Sequence, residues 1–279
     1  MAHTLGLEFA GKTDTGRVRS QNEDAIVISP AYGFAVLADG MGGYNAGEVA
    51  SGMATAATKD LLEQVLARLQ EAQTELLTRQ QFNQLVVDAI KRANAAIVDA
   101  ARAEPQYEGM GTTLVAAVFH GDQATIAHVG DSRGYRFRNG TLEQITRDHS
   151  LLQEQIDAGL IDSSLARFSA TKNLVTRAVG VGTEVEVEIH DHAIQTGDIY
   201  LLCSDGLSDM LSDREISDIL HQQQESLDAA CGVLVDRANH NGGLDNISVI
   251  LVKVLSTGSG TPGLLTRLRN WVNRSIEES

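Results

Sequence analysis

The stretch VLADGMGGYNAGEVASGMATAATKDLL, residues 36–62, contains three local patterns in direct succession. An apolar run ends at Asp39, glycines follow at positions 40, 42 and 43, and apolar residues then recur every three or four positions. A short apolar run is typical of a buried strand, glycine allows a sharp turn, and the later periodicity is typical of an amphipathic helix. The stretch therefore predicts a strand, a turn and a helix, with one carboxylate where the strand ends.

The rest of the sequence places runs of predicted strands beside pairs of predicted helices. One helical pair follows the second strand, with apolar faces from Val49 to Leu69 and from Phe82 to Ile97, and another covers 213–221 and 226–239. Because strands and helices come in runs, the pattern favours an α+β layered domain over a doubly wound parallel sheet. The predicted strands cover 24–29, 32–38, 112–119, 123–129, 184–190, 198–203 and 246–255, and 134–145 is a hairpin that turns at Asn139-Gly140.

Charge and cysteine content restrict the class of protein. The 279 residues include 22 Lys and Arg against 37 Asp and Glu, a net charge of −15, which disfavours a nucleic-acid partner or an anionic membrane surface. The acidic excess suits divalent cations. Only two cysteines occur, so we expect no disulfide framework and a cytoplasmic protein. No apolar run approaches the ~20 residues that span a bilayer, so we expect no transmembrane segment.

Three segments differ from the regular pattern. Residues 147–172 are polar and contain one short helical stretch near 151–158, so they are interpreted as an excursion over the surface. Residues 256–263, STGSGTPG, predict a flexible linker, and 264–279 predict an amphipathic C-terminal helix. That helix could dock on its own domain, bind a partner or lie on a membrane. Docking is the simplest interpretation, because its balanced charge gives little attraction to a membrane.

Acidic residues lie at five places where an apolar run meets a turn. Each one alone would be interpreted as a turn former, since Asp before Gly is a common turn pair. Together they would repel one another at the mouth of an apolar sheet unless a cation were bound. Oxygen-only ligands select Mg²⁺ or Mn²⁺, and two such ions roughly 3.5–4 Å apart can activate a water between them. The five places are Glu23-Asp24, Asp39, Asp131, Asp205 and Asp245.

Two neighbours of these acids have alternative interpretations. Gly40 would let its backbone carbonyl approach a metal, or would simply form a turn. Arg19 lies five residues before Asp24, in GRVRSQNED. A guanidinium group is well suited to phosphate oxygens, but an Arg near acids is also a common salt-bridge partner.

Taken together, the motifs resemble the PP2C (PPM) family of metal-dependent serine/threonine protein phosphatases, in its compact bacterial form. The resemblance extends from about residue 4 to residue 255. It implies a four-layer α-β-β-α sandwich of two antiparallel sheets flanked by antiparallel helix pairs, within a phosphatase domain of residues 1–255 whose flap is about 147–172. The matching segments, in family order, are RVRSQNEDA, VLADGMGG, GTTLVAAVF, AHVGDSRGYRFRNGTLEQITRDHS, LVTRAVG, LLCSDGLSDML and GGLDNISVI.

The resemblance also implies roles for individual residues. Two Mn²⁺ or Mg²⁺ ions are expected at the core site, and a third ion at Asp131 and Asp205. Arg19 is expected to bind the phosphate. The implied ligands of the core ions are Asp39, which bridges both, the Gly40 carbonyl, Asp205 and Asp245 for the first ion, and Glu23 and Asp24 for the second or its waters.

One position departs from the animal enzymes of the family. They carry a histidine, proposed as a general acid, two residues after the bridging aspartate, whereas this chain has Met41. Protonation of the leaving group therefore has no assigned donor. We expect no catalytic role for His128 or His149. His190 and His192 share one face of a strand, but no third ligand is apparent and a metal site there is not expected.

The function implied is hydrolysis of phosphoserine and phosphothreonine on proteins by a metal-bridging hydroxide, without a phosphoenzyme. The protein would be a monomer that opposes a Hanks-type serine/threonine kinase in bacterial signalling. One alternative is a catalytically weak PP2C-like regulator that binds phosphoproteins; retention of Asp39, Asp205 and Asp245 argues against it. Another is a phosphatase of a larger stress-response system, which would usually carry a sensor domain.

Overall fold

The computed structural model describes residues 5–43, 46–72, 77–162 and 174–257. Residues 163–173 of the predicted flap, the linker from 258 onward and the predicted helix 264–279 lie outside the described residues. Among the described helices, none has both the length and the apolar character needed to cross a bilayer.

The first sheet has five antiparallel strands. They pair without a change of register except for an irregularity near Gly6. Its hairpin turns at Asn139 and Gly140, as predicted, and both residues have positive φ, 51° and 79°. The strand order is β1 (Gly6–Asp14), β11 (Ile247–Ser256), β10 (Ile199–Cys203), β7 (Arg133–Arg138) and β8 (Thr141–Gln144).

The second sheet packs against the first and is also antiparallel. A two-residue strand, β4 (Gly111–Thr112), extends it by pairing with the end of β3. The order of the other strands is β2 (Asp24–Ser29), β3 (Phe34–Met41), β5 (Leu114–His120), β6 (Gln123–Val129) and β9 (Glu188–Ala193).

Several strand bounds differ from the sequence expectation: β3 continues past Asp39 to Met41, and the predicted strand 112–119 is divided between β4 and β5. The differences are largest at β1 and β9. No strand was predicted before residue 24, yet β1 runs the full length of β11 and pairs with it from Gly6 to Asp14. The predicted strand at 184–190 instead begins at Glu188, because Val185 and Val187 pack under the helices without joining the ladder. In both cases the partner strand, which is distant in sequence, decides where pairing occurs.

Helices cover the outer faces of both sheets. Helix α2 begins with a capping box in which Thr78 and Gln81 satisfy each other's backbone N–H groups, and α5 begins with the same arrangement between Ser212 and Glu215. A single turn of 3-10 helix covers Pro105–Tyr107. The α-helices are α1 (Ala46–Ala72), α2 (Arg79–Ala103), α3 (Leu151–Asp157), α4 (Asp205–Ser208), α5 (Asp213–Gln222) and α6 (Leu227–His240).

Three buried layers confirm the four-layer α-β-β-α sandwich. Alternate residues of β3 face opposite ways, so Val36 and Ala38 pack under α1 and α2 while Ala35 and Leu37 pack between the sheets. Tyr135, Leu201 and Leu234 belong to the third layer, between the first sheet and helices α5 and α6. The layer between the sheets is filled mainly by Val, Leu, Ile and Ala side chains.

The same alternation places the first candidate carboxylates. Asp39 follows Ala35 and Leu37 on the face of β3 that points toward the first sheet. Asp24 likewise lies on the same face of β2 as Ile26 and Ile28, which pack in the layer between the sheets. Both acids therefore continue the inter-sheet core to one end of the sandwich, where the loops that precede β2 and β11 and follow β6 and β10 also lie.

Candidate active site

A pocket of about 250 Å³ opens at this end of the sandwich. It draws residues from both sheets and from seven separate segments of the chain. Asp24 lies behind the pocket and is only 9% exposed. The sequence-predicted residues that line the pocket are Arg19, Glu23, Asp39, Gly40, Asp131, Asp205 and Asp245. The structure thus brings all the predicted site residues together.

Asp24 and Asp39 are direct cross-strand partners in β2 and β3. Like charges in such positions destabilise a sheet. Burial and then the charge of Asp24 hold the pKa of Asp39 well above its usual range. Burial also raises the pKa of Asp24 to about 6, although hydrogen bonds from Ser248 and Ser204 oppose the shift. The Ser204 hydroxyl donates to Asp24 Oδ2 at 2.8 Å.

Asp205 and Asp131 bring further charge to the same pocket. Asp205 opens the short helix α4 immediately after β10, and burial followed by the charge of Asp131 raises its pKa to about 8. Asp131 lies in the loop between β6 and β7, where burial and the charge of Asp148 raise its pKa to about 6. Because each of these carboxyls resists ionisation next to the others, the site favours a positive counter-charge.

Two carboxylate oxygens test whether a hard cation fits. Within the described part of the chain, Asp24 Oδ1 and Asp205 Oδ1 are buried and have no hydrogen-bond partner. Buried polar atoms are nearly always satisfied, so unpaired acceptor oxygens at a cluster of acids call for a ligand. The donor set in the pocket consists of oxygen atoms, which are the ligands that Mg²⁺ and Mn²⁺ prefer. The residues present therefore fit divalent cations.

Gly40 has a packing reason to be glycine. A Cβ atom added there would lie 2.1 Å from the Gly47 carbonyl oxygen and 2.6 Å from the Glu23 carbonyl oxygen. The Gly40 N–H donates to that Glu23 oxygen at 3.1 Å. The close approach holds the end of β3, the start of α1 and the loop before β2 against one another, so any larger residue would separate three parts of the pocket wall.

Arg19 lies at the pocket entrance with half of its side chain exposed. Its Nη2 atom donates to Asp245 Oδ2 at 2.6 Å. This contact agrees with the salt-bridge interpretation, and the position within the pocket is what the phosphate-binding interpretation requires. The two are compatible, because a guanidinium group has five N–H donors and one carboxylate does not use them all.

Thr113 is a site residue that the sequence analysis quoted in a motif but did not assign. Its Oγ1 accepts a hydrogen bond from the Asp39 N–H at 3.1 Å and is 2.6 Å from Ser132 Oγ. Its own N–H donates to the Asp39 carbonyl at 2.8 Å. Thr113 therefore fixes the backbone of Asp39 and ties it to the loop that carries Asp131. The sequence signal was the pair of threonines in GTTLVAAVF.

Asn246 is the second such residue. Its Nδ2 group donates to the carbonyls of Thr15 and Gln21, both at 2.9 Å, and its Oδ1 accepts from the Glu23 N–H at 2.8 Å. One side chain thereby shapes the loop between β1 and β2, which carries Arg19. The signal in the sequence was the polar residue between Asp245 and the apolar strand, in LDNISVI.

Three residues beside the pocket, His128, His149 and Glu188, lie close enough together to suggest another metal site. The two imidazole rings, however, stack at 4.6 Å with an interplanar angle of 20°, so their in-plane lone pairs do not converge on one ion. The Gly130 N–H donates to His149 Nδ1 at 3.2 Å, which leaves the proton on Nε2 facing Glu188 at 3.2 Å. This tautomer braces Gly130, next to Asp131, and we assign the cluster a structural role.

Comparisons with known proteins agree with this geometry. Residues 15–237 match the family described as Protein phosphatase 2C. The chain is 41% identical over 245 residues to the serine/threonine phosphatase stp of Listeria welshimeri, covering 87% of this chain and 94% of that protein. The structure of serine/threonine phosphatase Stp1 from Staphylococcus aureus has a TM-score of 0.81 at 33% identity, covering 91% and 97% of the two chains.

A further solved structure contains metal. It is the catalytic domain of serine threonine protein phosphatase PstP in complex with two manganese ions, with a TM-score of 0.78 and 37% identity. The match covers 91% of this chain and all of that one, 100%.

Proposed function

Since the chain belongs to the protein phosphatase 2C family, we propose that it hydrolyses phosphoserine and phosphothreonine on proteins. The observation that carries the proposal is the single pocket in which the carboxylates of Asp39, Asp205 and Asp245 converge beside Arg19. A pocket of this kind can hold cations and a phosphoryl group together. The names of the similar proteins, which are serine/threonine phosphatases, support the same substrate class.

We infer two Mn²⁺ or Mg²⁺ ions at the core of the site. Asp39, the Gly40 carbonyl, Asp205 and Asp245 would hold one ion, and Glu23 with Asp24 would hold the second or its waters. The unpaired oxygens of Asp24 and Asp205 support this arrangement, as does the manganese in the PstP structure. When bound, such ions act as Lewis acids that activate water and neutralise charge on a phosphoryl group.

A third ion is proposed at Asp131 and Asp205. Support comes from their proximity, since the charge of Asp131 is the largest electrostatic cause of the raised pKa of Asp205. The hydrogen bond from Gly130 to His149 and the contact between Thr113 and Ser132 hold the loop of Asp131 in place. These contacts would hold this carboxylate in position for the proposed ion.

Arg19 is proposed to bind and orient the phosphate. Asp245 accepts one of its N–H groups, so the guanidinium plane is held while its remaining donors are available to phosphate oxygens. Met41 and Val175 supply apolar wall to the same pocket. Met41 has no proton to donate, and its side chain takes the place from which a histidine would act in the animal enzymes.

We also propose that residues 1–255 form the phosphatase domain with a flap at about 147–172, and that the protein is a cytoplasmic monomer opposing a Hanks-type kinase. The named bacterial relatives are serine/threonine phosphatases, which agrees with a role opposite a serine/threonine kinase. The acidic net charge of −15 supports a protein substrate over nucleic acid.

The decisive experiment measures phosphate release from a phosphothreonine peptide with MnCl₂, with MgCl₂ and with EDTA. We expect release only with a divalent cation, and none from the Asp39→Asn variant. Saturable binding of the phosphopeptide without any release by the wild-type protein would contradict the proposal and would support the phosphoprotein-binding regulator instead.

A further inference from the structure

Large apolar side chains with high exposure are concentrated around the pocket. Isolated exposed apolar residues are normal on a protein surface, but clusters of them usually mark an interaction site. Of the six large apolar side chains that are most exposed among the described residues, three directly precede a residue that lines the pocket and a fourth, Val181, packs against Gly111 beside it; the other two are Leu160 and Leu255. We call the four the apolar rim: Val18 (64% exposed), Leu174 (53%), Val181 (67%) and Leu244 (57%).

Val18 and Leu244 form one side of the apolar rim. Each directly precedes a residue that lines the pocket, namely Arg19 and Asp245. The two loops run side by side, because the N–H groups of Arg17 and Val18 donate to the Gly243 carbonyl at 2.7 and 3.2 Å. The ion pair between Arg19 and Asp245 joins them one residue further on. The exposed side chains thus belong to two loops that are joined at the entrance.

Leu174 and Val181 form a second part of the apolar rim, which comes from different segments. Leu174 precedes Val175 in the pocket wall, and its carbonyl accepts from the Leu151 N–H at 2.9 Å at the start of α3. Val181 packs against Gly111 so closely that a Cβ added there would lie 2.8 Å from Val181 Cγ2. Gly111 pairs with Met41, which lines the pocket. Leu174 and Val181 therefore lie on loop segments that adjoin the pocket wall.

The occupant of the apolar rim follows from what the pocket must admit. A phosphorylated side chain of a protein can reach the carboxylates only if its own backbone lies across the entrance, and neighbouring residues, spaced ~3.3 Å apart in an extended chain, then meet the rim. Apolar neighbours of the phosphorylated residue would remove both their own surface and that of the rim from water, whereas serine or glutamate would gain less or lose hydration there.

We propose that the apolar rim docks the substrate segment on both sides of the phosphorylated residue and selects segments with large apolar side chains within about three positions of it. The inference rests on the proposed phosphatase function and deepens it by naming a sequence preference of the substrate. Continuity with the pocket distinguishes the rim from Leu255, which is equally exposed but lies at the far end of β11, ~30 Å along an extended strand from Asp245.

The first test compares three phosphothreonine peptides that differ only at positions −2 and +2, which carry leucine, serine or glutamate. With MnCl₂ and the full chain, we expect kcat/KM to be highest for leucine, with a decrease of roughly 3- to 10-fold at serine and a further decrease at glutamate. Equal kcat/KM for all three peptides, with normal turnover of p-nitrophenyl phosphate, would overturn the docking proposal and leave the phosphatase function standing. No turnover of any substrate would overturn both.

The second test changes the apolar rim itself. In a Val18→Ser/Leu244→Ser variant, the ratio of kcat/KM for the leucine peptide to that for p-nitrophenyl phosphate should fall roughly 3- to 10-fold. Leu255→Ser is the matched control, because it removes an equally exposed leucine and should leave both rates unchanged. An unchanged ratio in the double variant would contradict the proposal. A second result would also contradict it. If the molar mass of the wild-type protein rose with concentration and that of the double variant did not, the rim would join two copies of the chain.

Discussion

Asp24 and Asp39 occupy directly opposite positions on two neighbouring antiparallel strands, and both side chains belong to the face that lines the inter-sheet core. Two ionised carboxylates in such a place repel each other, and burial increases the cost. Electrostatic repulsion therefore disfavours this strand register when no cation is present, and a bound cation would favour it. Substitutions in the pair consequently test the proposed function.

Substitution of Asp39 should separate activity from stability. Asp39→Asn removes a proposed metal ligand, and since loss of a supporting contact already costs about 10- to 100-fold, activity should be essentially abolished. The metal-free protein should become more stable, because the repulsion with Asp24 is removed. Phosphate release and urea unfolding in EDTA check the two effects. Asp60→Asn, on the exposed face of α1, is the control. Wild-type activity in the Asp39→Asn variant would exclude Asp39 from the metal site.

The stability of the metal-free protein should fall as pH rises from 6.5 to 8. The pKa values of Asp205, about 8, and of Asp39, well raised, exceed the ordinary aspartate value, so the folded state holds protons that the unfolded state has released. Each such proton contributes a slope of up to about 1.4 kcal/mol per pH unit, with stability lost as pH increases. Thermal unfolding in EDTA measures this slope.

Two comparisons isolate the cause of that slope. The lowered pKa values of His128, His149 and His192 give a slope of the opposite sign that fades as pH rises above 6.5, and that of Glu188, about 2, acts below pH 4.5, so the carboxyl slope dominates in the upper part of the range. Asp205→Asn should flatten the slope. Saturating MnCl₂ should raise stability most at pH 8, where ligand protons compete least. A metal-free protein that becomes more stable between pH 6.5 and 8 would refute the account.

Arg19→Ala should lower kcat/KM for a phosphopeptide by about 10- to 100-fold, because charge-assisted hydrogen bonds to the phosphate are lost. Arg19→Lys should restore only part of the activity, since an ammonium group cannot form the planar fork. Steady-state kinetics with MnCl₂ give the comparison, and Arg214→Ala, at an exposed position of α5 outside the pocket lining, is the control. If Arg19→Ala has wild-type kinetics, the salt bridge to Asp245 is its whole role.

Thr113 should matter through its hydroxyl group. Thr113→Val preserves the shape of the side chain but leaves the Asp39 N–H without its acceptor, which should cost about 1–3 kcal/mol in the free energy of unfolding. Activity should fall as well, because the Asp39 backbone loses its anchor. Thr113→Ser keeps the hydroxyl and should recover most of both. Urea denaturation and phosphopeptide turnover are the measurements, and equal values for the valine and serine variants would contradict this role.

Much of the fold follows from local sequence patterns. Strands β2 and β6 match the predicted bounds, and the helices exceed theirs by only a few residues at most ends, because apolar periodicity is a local property. Strand β1 could not be found in this way. Its sequence, GLEFAGKTD, combines glycine with charged residues, and β11, more than two hundred residues away, provides the pairing that makes it a strand.

The candidate site divides along a similar line. The acids could be predicted because carboxylates at five places beside apolar runs need a common explanation, which each one alone does not. Thr113 and Asn246 could not, because a threonine within a strand motif and an asparagine in a turn have ordinary roles. Their importance lies in contacts between segments, such as Asn246 with the loop of Thr15 and Gln21, and these exist only in the folded chain.

The alternation of side chains along β3 makes the proposed site depend on correct strand pairing during folding. Asp39 shares a face with Leu37, so a slip of one residue in the pairing of β3 would turn Leu37 away from the inter-sheet core and replace Asp39 in the pocket by a neighbour without a carboxylate. Binding of the proposed cations would therefore require correct strand pairing. A titration of metal sites would then count only the molecules whose central sheet has formed in this register.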